Sequence, residues 1–323
     1  MIAILCGVDG RPSMKAVYSN METSSELIVR RKLKSGKIFF RHYLDNIIKS
    51  FIKKKLNTVF NSNVIIRWGN RIDISNNFVN PIVYNNIKSI EKITNKKLSR
   101  EILKTAGIKT PLYSDAEISE EIQAMSTLQY PMICRPLQHA KGKNFLTINS
   151  KIELIQFLST RSLEQYYFAP YLEKTNEYRV HCGLGKVLSV LEKPKPQDIN
   201  QKAWNRAQNG DPFTYIPWSD YNYDLCITAL KACEAIGADF AAIDLIKFEN
   251  EFYVLELNSS PTLISNEYTV ERYAKLFDYI GKHTSDKKLK HWDFTKFNSA
   301  KSLAWKNFQL DSNINIINKE ENE

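Results

Sequence analysis

With 323 residues, 43% hydrophobic and 25% charged side chains, and only 11 glycines and 11 prolines, the chain can build two or three packed lobes, which excludes disordered and fibrous classes. Its formal charge of +10 is unevenly spread: residues 1–110 carry 21 Lys and Arg against 7 Asp and Glu, the remainder 24 against 28. The first third is therefore +14 and the rest −4. A surface able to draw an acidic peptide, an acidic protein tail or a nucleic acid belongs to one end of the chain.

Ile2 to Val8 is apolar, follows no basic residue, is too short for a signal-peptide core and runs straight into Asp9-Gly10, so it reads as a first strand. No stretch approaches the roughly 18 uninterrupted apolar residues of a membrane span. The five cysteines (Cys6, Cys134, Cys182, Cys226, Cys233) are odd in number and form no C-x-x-C pair, which predicts a reduced, cytoplasmic protein without structural zinc. A second strand is expected at Asn63–Trp68, with a basic helical stretch from about Leu44 to Leu56 between the two. One helix is read from Asn85 through Lys97 to Ala106, stopped by Gly107 and Pro111. A strand (Tyr130–Pro136), a charged loop (His139–Asn144), a helix (Lys151–Leu158) and a strand (Tyr166–Ala169) follow. Beyond them come a hairpin across Gly183–Gly185, a Gln/Asn-rich connection, a helix at Tyr223–Ile236 and a second hairpin from Ala241 to Asn258. After about Asp286 the periodicity fades, although Trp292, Phe294, Phe297 and Trp305 give that end something to pack or to bind with. Short β-rich runs alternating with helices predict an α/β protein.

The hairpins carry the chemistry. In the second, Glu249-Asn250-Glu251 reads as a three-residue turn with Asn250 left-handed. That register sets Phe248 against Phe252, Ile246 against Val254 and Asp244 against Glu256, with the last pair's Cβ atoms about 4.5–5.5 Å apart. Asn258 shares their face. Opposed like charges destabilise a sheet unless a cation lies between them, and three oxygen donors on one face suit Mg²⁺. A register slip of one residue would instead make them solvated edge carboxylates. In the first hairpin Glu177, Arg179 and His181 alternate with Tyr178, Val180 and Cys182. The register expected there opposes Ser189 to Arg179 and puts Lys193 on the same polar face, either a cleft wall or a solvated sheet surface.

These pieces, in this order, resemble the ATP-grasp carboxylate–amine ligases, and most closely the branch of ribosomal-protein glutamate ligases and related peptide-modifying ligases. The resemblance spans roughly residues 85–265. "NKKLSREILKTAGIKTP" resembles the opening helix, implying that Lys97 reaches an ATP phosphate. "YPMICRP" is similar to a strand that usually holds a nucleotide-binding lysine, and here holds Arg135. "YFAPYLEK" resembles the hinge that receives adenine, around Ala169, Tyr171 and Leu172. "EYRVHCGLGKVLSV" implies Glu177 at the ribose and Arg179 at the transferred phosphate, with Lys193 beside them. "DLIKF…YVLELNSSP" implies Asp244, Glu256 and Asn258 as ligands of one or two Mg²⁺ ions, with Mn²⁺ as a substitute. "WNRAQNG" resembles a segment near the acyl phosphate and brings in Asn205 and Arg206. Two departures stand out: the phosphate-covering loop "QHAKGKNF" has a single glycine, leaving Lys141 and Lys143 to supply charge, and Arg135 replaces a point charge with a planar fork.

The implied architecture is an ATP-grasp fold: a basic lobe at 1–84, a central ATP-binding part at 85–175, a metal-binding part at 176–285 and an extension at 286–323. The implied reaction is ATP-dependent formation of an acyl phosphate, then of an amide. Arg67 and Arg71 are candidate clamps for a substrate carboxylate, Trp68 a candidate aromatic wall, and Ser259 and Ser260 candidates for positioning the acyl group. Three readings remain open: a ligase acting on an acidic peptide or protein docked at the basic lobe, a small-molecule amino-acid ligase, and a nucleic-acid- or partner-binding protein with a degraded nucleotide site. The oligomeric state, homodimer included, is open as well.

Overall fold

The computed structural model describes residues 2–7, 10–23, 25–32, 38–44, 47–52, 62–73, 78–111, 130–136, 146–161, 166–173, 175–193, 213–263 and 266–305. They form three sheets. The first has six strands in the order β4-β3-β2-β1-β5-β6: β1 (Ile2–Cys6), β2 (Ser25–Lys32), β3 (Ile38–Leu44), β4 (Ile47–Ile52), β5 (Val64–Trp68) and β6 (Ile82–Tyr84). β1 runs parallel to β2 and β5 and is buried throughout, as an unbroken apolar run covered on both faces should be. Ile2, Ile4 and Cys6 join one core cluster, Ala3 and Leu5 another. Helix α1 (Arg11–Ser19) buries Met14 and Val17 against the first of these clusters.

The helix expected from about Leu44 to Leu56 does not form over its described residues. Residues 47–52 form β4, antiparallel to β3, with Leu44 opposite Ile47. Its apolar residues come in pairs, Ile47-Ile48 and Phe51-Ile52, and are β-branched or aromatic, so they suit a strand next to β3 better than a helical stripe. The spacing of the lysines carried no information about which backbone form they decorate.

The helix expected over 85–106 is two helices, α2 (Ile87–Thr94) and α3 (Lys96–Thr105). Asn95 ends the first and caps the second, its side chain accepting the Leu98 N–H. An asparagine side chain competes with the helical backbone and favours such a break. Both helices lie on the third sheet, where Ile93, Leu103 and Ile108 enter its core.

The second sheet is small: β7 (Met132–Pro136) lies between β8 (Leu146–Ile148) and β9 (Tyr166–Pro170). Helix α4 (Lys151–Thr160) covers it, with Leu154 and Phe157 on Met132, Cys134 and Phe168.

The third sheet places β10 (Asn176–Gly183) and β13 (Phe240–Phe248) at its centre, flanked by β11 (Lys186–Lys193), β12 (Thr214–Ile216) and β14 (Glu251–Asn258). One face carries Val180, Cys182, Ile243, Leu245 and Leu257 and is sealed by α5 (Tyr223–Ile236). The other carries Glu177, Arg179, Asp244, Glu256 and Asn258. Helix α6 (Glu267–His283) bridges the first and third sheets through Tyr273, Leu276 and Phe277.

Residues 285–305, illegible by periodicity, form a strap. Trp292 N–H donates to the Leu184 carbonyl, Trp305 N–H donates to that of Val187, and a short helix, α7 (Ala300–Leu303), lies between. The Lys186 ammonium sits 3.5 Å from the Phe297 ring centroid. Buried Asp239 accepts from Lys288 (2.7 Å) and bonds His291 Nε2 (2.9 Å), tying the strap to the root of β13.

Candidate active site

The second hairpin delivers the carboxylates by a route other than the expected one. Its turn has two residues, Glu249 and Asn250, both at positive φ (49° and 64°), so Phe248 pairs with Glu251. Leu245 then pairs with Val254, but Asp244 pairs with Glu256: Leu255 is an extra residue, a β-bulge. A turn one residue shorter than expected and a bulge one residue long cancel, and the two carboxylates still stand opposite each other. In the first hairpin an irregularity at His181 and Cys182 sets Ser189 opposite His181 and Leu191 opposite Arg179, correcting the expected pairing of Ser189 with Arg179. Glu177 pairs with Lys193 as its face requires.

On the resulting polar face each acid meets a base. Arg179 grips Asp244 with both prongs, Nε to Oδ1 at 2.6 Å and Nη2 to Oδ2 at 2.8 Å, a fork-on-carboxylate geometry that gives two charge-assisted bonds. Lys193 Nζ lies 3.1 Å from Glu177 Oε1. Lys96 Nζ lies 3.3 Å from Glu256 Oε2 and donates to the Leu257 carbonyl at 3.3 Å. Asn258 Nδ2 donates to both facing carboxylates, 3.3 Å to Asp244 and 3.4 Å to Glu256. The Phe213 ring covers Arg179, 4.9 Å from centroid to guanidinium carbon.

Burial pushes the Asp244 carboxyl above its ordinary range despite the opposing pull of Arg179, and Glu256 and Glu177 push the same way. Burial also works against the Arg179 charge, but contact with Asp244 outweighs it and holds the guanidinium firmly protonated. His181 is driven well below its usual value by burial, then by Arg179. The imidazole is therefore neutral, with Nδ1 3.2 Å from the Tyr273 hydroxyl and Nε2 without a hydrogen-bond partner among the described residues.

Lys97 is exposed on the first turn of α3, and its neighbour Lys96, not singled out from the sequence, pairs with Glu256. Arg135 pairs with Tyr167 in the second sheet. Ala169 is buried opposite Ile133, the Tyr171 N–H donates to the Pro131 carbonyl (2.9 Å), and half-buried Leu172 follows in the connection from β9 to β10. Lys141, Lys143, Asn205 and Arg206 lie outside the described residues.

Two further expectations are corrected. Arg67 is no clamp: its guanidinium is buried and donates to the carbonyls of Ile72 (2.7 Å) and Asn70 (3.3 Å). Trp68 is core, stacked on Phe240 and edge-on to Tyr273. Ser260 packs against Gly69, whose φ of +64° and 2.7 Å clearance to the serine Cβ leave no room for a side chain. The stretch after Asn258 thus packs against Gly10 and Gly69, which follow β1 and β5 of the first sheet.

Among the described residues no group of three or more His, Cys, Asp and Glu is placed to hold a metal ion. The donor set here is two carboxylates and an amide. Its chemistry fits a hard divalent cation, since turning the Asn258 amide over would present Oδ1 where Nδ2 now bridges the acids. No helix among the described residues is long and apolar enough to cross a membrane.

Three sheets, the third with one charge-lined face, make up the described chain, and solved structures of the ATP-grasp class share this fold. A D-alanine–D-alanine ligase from Bacillus anthracis superposes with a TM-score of 0.58 at 16% identity, covering 87% of this chain and 96% of that one. A RiPP-associated ATP-grasp ligase from Chryseobacterium gregarium, in complex with ADP and a leader and core peptide, gives 0.57 at 14%, covering 86% and 97%. Residues 93–280 match the RimK-like ATP-grasp domain, and the chain belongs to that family. Proteins named probable alpha-L-glutamate ligase are relatives: that of Histophilus somni strain 2336 is 24% identical over 184 residues, covering 55% of this chain and 59% of its own. That of Haemophilus influenzae strain PittEE is 46% identical over 172 residues, covering 50% and 55%. The chain thus spans little more than half the length of these relatives.

Proposed function

We propose that the protein is an ADP-forming carboxylate–amine ligase that joins an amine to a carboxylate of an acidic peptide or protein. The observation that carries this is the Arg179, Asp244, Glu256 and Asn258 constellation on the polar face of a RimK-like domain. The ligase names of the relatives support the reaction class, the leader and core peptide in the Chryseobacterium ligase supports a peptide acceptor, and the +14 charge of residues 1–110 supports an acidic one. The three sheets support division of the chain near residues 84 and 175, and the end of α6 with the strap that follows supports one near 285.

In this reading ATP transfers its terminal phosphoryl group to the substrate carboxylate. ADP leaves, the amine attacks the acyl phosphate, and phosphate departs as the amide forms. No protein nucleophile is required; the site must neutralise charge where it accumulates. Arg179 would leave Asp244 for the transferred phosphoryl group, with Lys96, Lys97 and Arg135 towards the nucleotide phosphates, Lys141 and Lys143 above them and Glu177 at the ribose. Lys193 orients Glu177 through their ion pair, and Asn205 and Arg206 are assigned to the acyl phosphate. Magnesium, held by Asp244, Glu256 and Asn258, would supply further neutralisation of phosphate oxygens. Ala169, Tyr171 and Leu172 would line the adenine position.

The test is acceptor-dependent ADP release with Mg²⁺ and a panel of acidic peptides, abolished by Glu256→Ala. ATP binding without turnover on any peptide or amino acid, together with salt-sensitive affinity for nucleic acid, would replace the ligase reading with a binding role.

A further inference from the structure

The polar face balances its own charge. Among the described residues that line it, the acids Glu177, Asp244 and Glu256 are met by Lys193, Arg179 and Lys96, and the Asn258 amide hydrogens point at the two facing carboxylates. A bare carboxylate pair attracts a divalent cation. This pair already holds two cationic groups and an N–H donor on its oxygens. A free Mg²⁺ ion entering here would shed water, displace Arg179 and turn the amide, and would leave a site of net positive charge. A nucleotide triphosphate alters the balance, because its phosphate oxygens give Arg179 and Lys96 somewhere else to go.

We propose that the site excludes free divalent cations and takes one up only together with a nucleotide triphosphate, and that Lys96 is the positioning residue that sets this condition by standing in for the metal at Glu256. This rests on the metal assignment above. Lys96 suits the role better than Arg179: it reaches in from α3, an element separate from the hairpins, and its ammonium holds the Leu257 carbonyl as well as Glu256. Its charge is thus fixed beside the carboxylate by the packing of α3 on the third sheet.

The experiment follows Mn²⁺ uptake by electron paramagnetic resonance on metal-free full-length protein, with Mn²⁺ alone and with Mn²⁺ plus a non-hydrolysable ATP analogue. Wild type should show Glu256-dependent uptake, lost in Glu256→Gln, only when the analogue is present. Lys96→Met should gain uptake of Mn²⁺ alone, with affinity raised about tenfold or more by loss of one neighbouring positive charge. The Lys96→Met, Glu256→Gln double variant should lose that gain, and Lys96→Arg should behave as wild type. Glu256-dependent binding of free Mn²⁺ by wild type would overturn the proposal while leaving the metal assignment intact. So would a folded Lys96→Met protein that binds Mn²⁺ with the analogue but gains nothing without it. Absence of Glu256-dependent uptake even with the analogue would overturn the metal assignment itself.

Discussion

Removing Arg179 is the sharpest test of how the polar face is held. Arg179→Met deletes bonds of 2.6 and 2.8 Å and leaves Asp244, 8% exposed, facing Glu256. Breaking one side of a buried ion pair costs about 3–5 kcal/mol, because the surviving charge keeps its desolvation without its partner. At roughly 2 °C per kcal/mol for a chain of this length, the midpoint of thermal unfolding should fall by about 6–10 °C. Replacing both partners, Arg179→Met with Asp244→Leu, should recover all but about 1–2 kcal/mol, since no charge is then stranded. The loss is pH-dependent. Burial already raises the Asp244 carboxyl in the folded protein, and without Arg179 it rises further. A carboxyl with a raised folded pKa favours the fold while protonated in both states and loses that advantage as pH climbs through the folded value. The deficit of Arg179→Met should therefore be largest at pH 8 and shrink towards pH 5, read by calorimetry across that range. A single variant within about 1 kcal/mol of wild type at pH 8, or a double variant no more stable than the single, would refute the account.

Gly185→Ala places a Cβ against the Trp292 carbonyl oxygen at φ +83°. It should cost about 1–3 kcal/mol and expose the strap to limited proteolysis near Trp292 before the body of the protein is cut. Burial opposes the Asp239 charge, but bonds from His291, Lys288 and the Asn85 N–H more than offset this and depress its pKa. That stabilisation is present above the ordinary carboxylate range and lost as pH falls through the depressed value. Asp239→Asn should then be less stable at neutral pH by about 2 kcal/mol or more, with a flatter acid limb in its unfolding midpoint against pH. All five cysteines are buried and free, and burial pushes Cys6, Cys134, Cys226 and Cys233 up to about 12. Ellman's reagent should find no fast-reacting thiol in the native protein and five after denaturation; a reactive native thiol would contradict the assigned burial.

The elements of the third sheet were legible because alternation along a strand records which side faces the core, and that record is local. Val180, Cys182, Ile243 and Leu245 went to the α5 side; Glu177, Arg179, Asp244 and Glu256 went to the other. Asp244 opposite Glu256 was predicted for a partly wrong reason, since the turn is shorter and the bulge at Leu255 restores the pairing. A bulge depends on what the strand packs against and leaves little trace in alternation.

What the chain determined by itself was therefore the strand and helix alternation, the two-faced hairpins and the acids they present. Tertiary structure alone decided which base serves which acid: Lys96 at Glu256, Arg179 on Asp244, and Arg67 withdrawn to the carbonyls of its own loop. It also decided that residues 47–52 pair with β3 and that the aromatic tail straps the β10–β11 turn. Periodicity reports the burial of one element against an unspecified partner. The choice among neighbouring charges is made by contacts far along the chain, as between Arg179 and Asp244 or Lys96 and Glu256, and the backbone form of a short apolar segment by the strand it pairs with, here β3 close by in sequence.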